Sequence, residues 1–175
     1  MQQVEQQADG SASVILSEGT KIYLNGKKNY EYPDGAPSKI SLLFDELLPE
    51  RDGDNSSRIN ALTAHAVANG YDISNQNTEF RYLDLVDSND SNAWVSSSLG
   101  SDVFWSYPEG TGKDTDFRLL HFTGLHREYN FGDTGNIAEE IAKSEVEEIT
   151  AFTKTDRGIW FHVPESGFSP FALTW

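Results

Sequence analysis

Apolar and polar residues alternate along much of this chain at a period of two, in short runs separated by turn-forming clusters. No other feature constrains the fold as strongly, because successive side chains of a strand point to opposite faces. Phe80, Tyr82, Asp84 and Val86 fall on one face of such a run, and Arg81, Leu83 and Leu85 on the other. Both faces carry apolar residues, which predicts a central strand. Val103, Trp105 and Tyr107 alternate ahead of the turn Pro108-Glu109-Gly110. Further strands are predicted over Phe117–Phe122, Ile149–Thr153, Ile159–Val163 and Ser169–Trp175. Near the N-terminus, Val14–Leu16 and Lys21–Leu24 read as strands, and Asn25-Gly26 as a hairpin turn, since both positions tolerate positive φ. About nine short strands at this spacing predict a mainly β chain, an immunoglobulin-like antiparallel β-sandwich. The sequence has no internal repeat, which argues against a solenoid or a propeller.

The period changes in a few places. Ile40, Leu43, Phe44, Leu47 and Leu48 recur at spacings of three and four, which predicts a short amphipathic helix ending before Pro49. Ser56 or Ser57 is placed to cap a second helix through Ile59, Leu62, Ala66 and Val67, stopped by Asn69-Gly70. One or two further helical turns are expected around Ile137–Lys143. Residues 1–12 then read as a linker, and 13–175 as a single β-sandwich module with a helical insertion over 36–70.

At 175 residues the chain is long enough for one ordinary domain with a core. Its net charge of −15 repels phosphate backbones and anionic lipid, so nucleic acid is not an expected partner. No apolar run approaches the roughly 20 residues of a membrane helix, so no membrane insertion is expected of this segment. There is no cysteine. That excludes thiol nucleophiles, disulfides and cysteine-held zinc, and with the acidity it fits an extracellular protein that does without disulfides. The polar N-terminus has neither the basic nor the apolar region of a signal. Phe171-Ala172-Leu173-Thr174-Trp175 reads as an intact strand at the C-terminus, which points to one module of a longer polypeptide.

Candidate chemistry is sparse. Asp87-Ser88-Asn89-Asp90-Ser91-Asn92 sets oxygen ligands at alternate positions, as a calcium loop does. The EF-hand pattern fails, because Asn92 stands where glycine is required and Ser98 where the bidentate glutamate belongs. A different calcium site from Asp84, Asp87, Asn89 and Asp90 stays open beside the plain reading of an Asx-rich turn. Asp52-Gly53-Asp54-Asn55 is a weaker case of the same kind, read as a polar loop. His65, His121, His126 and His162 have no metal-ligand spacing, and His121 reads as a core or edge histidine. No Gly-x-Ser-x-Gly elbow occurs, and acidic pairs such as Glu139-Glu140 and Glu147-Glu148 are too common here to single out a hydrolase. Lys21 suits one end of an intramolecular isopeptide bond, but the last strand offers no Asn or Asp for the other.

Aromatic residues carry the remaining signal. Trp94, Trp105, Tyr107, Trp160 and Trp175 are candidates for stacking on sugar rings, whose C–H faces pack well on indoles. Only one phase of each strand is core, however. Trp160 and His162 stand opposite Ile159, Phe161 and Val163, which predicts an exposed Trp160. Trp94, Trp160 and Tyr107 are therefore the expected ligand-binding residues.

The stretch Asp156-Arg157-Gly158-Ile159-Trp160-Phe161-His162-Val163 with Phe168-Ser169-Pro170-Phe171-Ala172-Leu173-Thr174-Trp175 resembles the closing hairpin and final strand of immunoglobulin-like β-sandwich modules in large Gram-positive cell-surface proteins. Tyr107-Pro108-Glu109-Gly110-Thr111 with Phe117-Arg118-Leu119-Leu120-His121-Phe122 is similar to their middle hairpin. Residues 1–75 lie outside the likeness. The resemblance implies an extracellular, cell wall-attached, non-enzymatic module that acts as a spacer or an adhesive presentation domain, with neighbouring modules of the same polypeptide as partners. It carries over no binding residue and no cofactor. Two other readings stand beside it. One is a module binding glycan or a host protein through exposed aromatics, with calcium assisting; the other is a carboxylate hydrolase.

Overall fold

The computed structural model describes residues 2–3, 12–16, 21–24, 27–31, 40–47, 53–87, 93–123, 137–164 and 170–175. Among them lie strands β1 (Gln2–Gln3), β2 (Ala12–Leu16), β3 (Lys21–Leu24), β4 (Lys27–Glu31) and β5 (Ile40–Glu46), followed by helix α1 (Gly53–Ala68). Strands β6 (Thr78–Asp87), β7 (Ala93–Ser97), β8 (Ser101–Ser106) and β9 (Arg118–Thr123) precede helix α2 (Ile137–Ala142). The chain continues through β10 (Glu145–Ile149), β11 (Phe152–Lys154), β12 (Gly158–Val163) and β13 (Pro170–Thr174). The fold class is the predicted one: mainly β, antiparallel, of the β-sandwich class, with short helices inserted between strands.

The chain divides into two compact units. The first comprises residues 1–44, 84–114 and 151–167, and the second 45–83, 115–150 and 168–175. In the first, a five-stranded antiparallel sheet runs in the order β1-β2-β8-β12-β11. Its register sets Val14 opposite Val103, Val103 opposite Phe161, and Phe161 opposite Phe152. Ala12, Val14, Leu16, Val103, Trp105, Ile159, Phe161 and Val163 are all buried along this phase. The same unit holds the end of β6 with β7, β3 and β4, where Val86 faces Trp94, Leu24 faces Val95, and Leu24 also faces Lys27. The last pairing is the hairpin predicted from Asn25-Gly26, a turn that itself lies outside the described residues.

In the second unit, β10, β9, β13 and the start of β6 form neighbouring antiparallel strands, with Ala172 of β13 opposite both Leu120 and Phe80. These three side chains join Phe122, Leu47, Ile73, Leu62 and Ala66 of α1, and Ile141 of α2, in one apolar core. Ile59, Leu62 and Ala66 recur at helical spacing, which is why the period read a helix here. The Asn69-Gly70 stop is a Schellman closure: Gly70 N–H donates to the Val67 carbonyl at 3.0 Å and Tyr71 N–H to the Ala66 carbonyl at 2.9 Å. His65 Nε2 lies 2.8 Å from the Ser144 carbonyl and ties α1 to the segment after α2. On the opposite phase of the sheet, His121 is buried with its ring stacked on Phe171 at 4.2 Å.

Four expectations need correction. Ile40–Leu48 is not a helix; Ile40–Glu46 is strand β5, paired with β6. Strands with apolar residues on both phases also place them three and four apart, so the spacing alone did not discriminate. Helix α1 starts at Gly53, so Gly53–Asn55 are helical rather than part of a polar loop, and Ser56 and Ser57 lie inside the helix rather than at its cap. The run Ile149–Thr153 is split, since β10 pairs with β9 and β11 with β12. A period of two continues through a change of partner and does not register it. Trp105, a candidate stacking residue, is 1% exposed and belongs to the core.

Candidate functional site

The other phase of the five-stranded sheet carries the site; on it Ser13 and Phe104 are buried, while Ile15, Asp102 and Trp160 are partly exposed and Thr153 and His162 exposed. Register places Ser13, Phe104, Trp160 and Thr153 in one row across β2, β8, β12 and β11, and Ile15, Asp102 and His162 in the next. Ile15, Asp102, Ala151, Thr153, Trp160, Phe161 and His162 line an open groove of about 400 Å³. Trp160 is partly exposed there, as its strand phase predicts, and Phe104 supports it with ring centroids 5.4 Å apart at 51°. The Arg157 guanidinium lies 6.0 Å from the Phe104 ring centroid, at cation–π distance.

Beside the indole, His162 Nδ1 and Asp102 Oδ1 are 2.9 Å apart. The Asp102 carboxylate has only acceptors, so Nδ1 carries the hydrogen and donates it, and a neutral imidazole then presents its Nε2 lone pair. The His162 side chain is 55% exposed and that of Asp102 35%, so both remain open to solvent and to a ligand.

Two glycines make room for these rings. A Cβ at Gly100 would meet the Val163 carbonyl and, at 2.6 Å, His162 Nε2; Gly100 also has φ +70°, a backbone state that L side chains rarely adopt. A Cβ at Gly158 would collide with the Trp105 carbonyl and lie 2.8 Å from Phe104 ring carbons. The imidazole therefore rests on one bare backbone and the phenyl ring beside Trp160 on another. Neither glycine was singled out from sequence, though Gly158 falls at the turn before its strand.

The other expected residues lie elsewhere. Tyr107 donates its hydroxyl to the Thr155 carbonyl at 2.6 Å, so it fastens the turn before β12 and is not among the residues lining the groove. Its phenol is held above the ordinary pKa by desolvation first and by the nearby Asp156 carboxylate next. Trp94 is on β7, which pairs with β3 and β6 rather than with the groove strands. Asp84 and Asp87 are on β6, Asp87 at its end, while Asn89 and Asp90 lie outside the described residues. Among the described residues, no three His, Cys, Asp or Glu side chains come together as metal ligands. His121 is a core histidine, and burial lowers its pKa to about 4.

Sequence reasoning missed the Asp102–His162 pair because 60 residues separate its members. Each stands on the non-core phase of an alternating strand, which is the signal that was available. No helix among the described residues is long and apolar enough to cross a membrane. Compared with protein-family models, with curated proteins and with solved structures, the chain matches none.

Proposed function

We propose that this chain is a non-catalytic module of an extracellular, wall-attached bacterial surface protein, and that it adheres by binding glycan in the groove at Trp160. The carrying observation is the partly exposed indole on an open groove, packed against Phe104 of the adjacent strand and flanked by Asp102, His162 and Thr153. An indole face takes the C–H face of a pyranose, and neighbouring polar groups take its hydroxyls. The lining residues include a single carboxylate, Asp102, whereas hydrolysis by paired carboxylates needs two about 5–10 Å apart. The extracellular address rests on the resemblance of the C-terminal hairpin and final strand, the acidity and the lack of cysteine. In that setting the partners are neighbouring modules and a host or dietary glycan.

Thermal melts with a panel of soluble glycans test this. A ligand that binds only the native state raises stability by about 2.7 kcal/mol at 100 times its dissociation constant. At least one glycan is expected to raise the midpoint of the native protein and to leave that of Trp160→Ala unmoved. A panel that shifts neither protein rejects glycan recognition and favours a plain spacer. Parallel melts with calcium and with EDTA test Asp84, Asp87, Asn89 and Asp90 as a metal site.

A further inference from the structure

We infer that the groove selects uncharged sugars and rejects acidic ones, a refinement that rests on the glycan-binding reading above. Its polar lining is rich in acceptors. Asp102 brings a fixed anion, and its partner His162 has already committed the Nδ1 hydrogen to it at 2.9 Å. A neutral imidazole has only the Nε2 lone pair left, so the side-chain donors of the lining are the Thr153 hydroxyl and the Trp160 indole N–H, and neither carries a charge. Sugar hydroxyls satisfy such a wall by donating to it. The carboxylate oxygens of a uronate and the charged oxygens of a sulfate only accept, so they meet acceptors and a like charge together.

Two cations beside the groove strands do not offset this. Arg157 sits over the Phe104 ring and is not among the lining residues. Lys154 is adjacent to Thr153 on β11 and so points to the other face of the sheet. The net charge of −15 opposes the approach of any polyanion from farther out.

The test is titration of the whole chain at pH 8, above the ordinary imidazole range, with matched oligosaccharides read by tryptophan emission and calorimetry. Tetrasaccharides of galactose, glucose and mannose are compared with galacturonate, glucuronate and mannuronate tetrasaccharides at fixed ionic strength. A neutral member is expected to bind at least about tenfold more tightly than its acidic counterpart, the direction like-charge repulsion imposes. Asp102→Asn, which keeps an acceptor and removes the charge, is expected to narrow that gap several-fold, the ratio being read whatever the loss in affinity for the neutral sugar. Equal or tighter binding of the acidic member overturns the selectivity and leaves glycan recognition standing. Failure of every sugar to bind overturns both. An unchanged gap in Asp102→Asn, with binding retained, removes Asp102 as its source.

Discussion

His121 is 1% exposed on β9, with its ring parallel to Phe171 at 4.2 Å, and desolvation lowers its pKa to about 4. Arg81 faces Phe171 from the other neighbouring strand, with its Nε 2.7 Å from Glu79 Oε1, so a cation already lies two strands away. As pH falls, the unfolded imidazole takes a proton near 6.5 and the folded one only near 4. Between those values the unfolded state binds more protons, so stability is present above the upper value and is lost on the way to the lower. A shift of this size corresponds to about 3 kcal/mol. His121→Gln, which does not titrate, is expected to lose less stability between pH 7 and pH 4 than the native protein does. Urea midpoints at the two values measure this, and equal losses would show that His121 is not the acid-sensitive group. The residue-scale part of the site was legible only where one strand sufficed. Trp160 was read as exposed from its own neighbours, whereas Asp102 meets His162 through the pairing of β8 with β12, which neither strand encodes alone.

Helix α1 and strand β6 carry their own signatures and were read as elements, though α1 starts at Gly53 rather than after Ser56 or Ser57, whereas β5, whose partner decides its identity, was not. Helix α1 has an apolar face at helical spacing and a Schellman stop, both local. Strand β6 has apolar residues on both faces, and it is central as predicted, with β13 and β7 beside it. Strand β5 has no comparable local mark. Leu42 is buried, and Leu47 N–H donates to the Phe80 carbonyl at 3.0 Å, so its identity follows from β6. Strand β12 shows how an element is adapted to a site, since Gly158 costs it intrinsic strand propensity and leaves the space that Phe104 fills. Gly158→Ala is expected to destabilise the protein by about 1–3 kcal/mol through overpacking, read from denaturant midpoints. Adding Phe104→Ala is not expected to restore stability, because the nearest atom to the new methyl is the Trp105 carbonyl of the backbone. Full rescue by that second change would show that the phenyl ring alone set the constraint.

At the scale of the whole molecule, each unit is assembled from three separate stretches of chain, and the stretches alternate. Strand β6 gives residues 78–83 to one unit and 84–87 to the other. Much of the pairing is distant in sequence: Ala12 lies opposite Trp105, and Phe80 opposite Ala172. Such contacts close long loops before they contribute stability, which favours slow folding. Strand composition predicted the fold class, but not this interleaving, because hydrophobic periodicity says which residues are buried and not which strand they meet. A chain ending at residue 150 would lack β11 and β12, which pair with each other and with β8, and β13, which lies between β9 and β6. It is expected to show no cooperative near-ultraviolet transition, and a sharp transition for either unit would contradict the interleaved assembly.

That threading also limits how the protein can change over generations. A crossover, a deletion or a protease nick that removes one continuous half of the chain takes strands from both units at once. Neither unit can be traded to another gene as a continuous cassette, or shed while the other is kept. The groove at Trp160 and the helix-backed core around Leu62 must be inherited, synthesised and lost together.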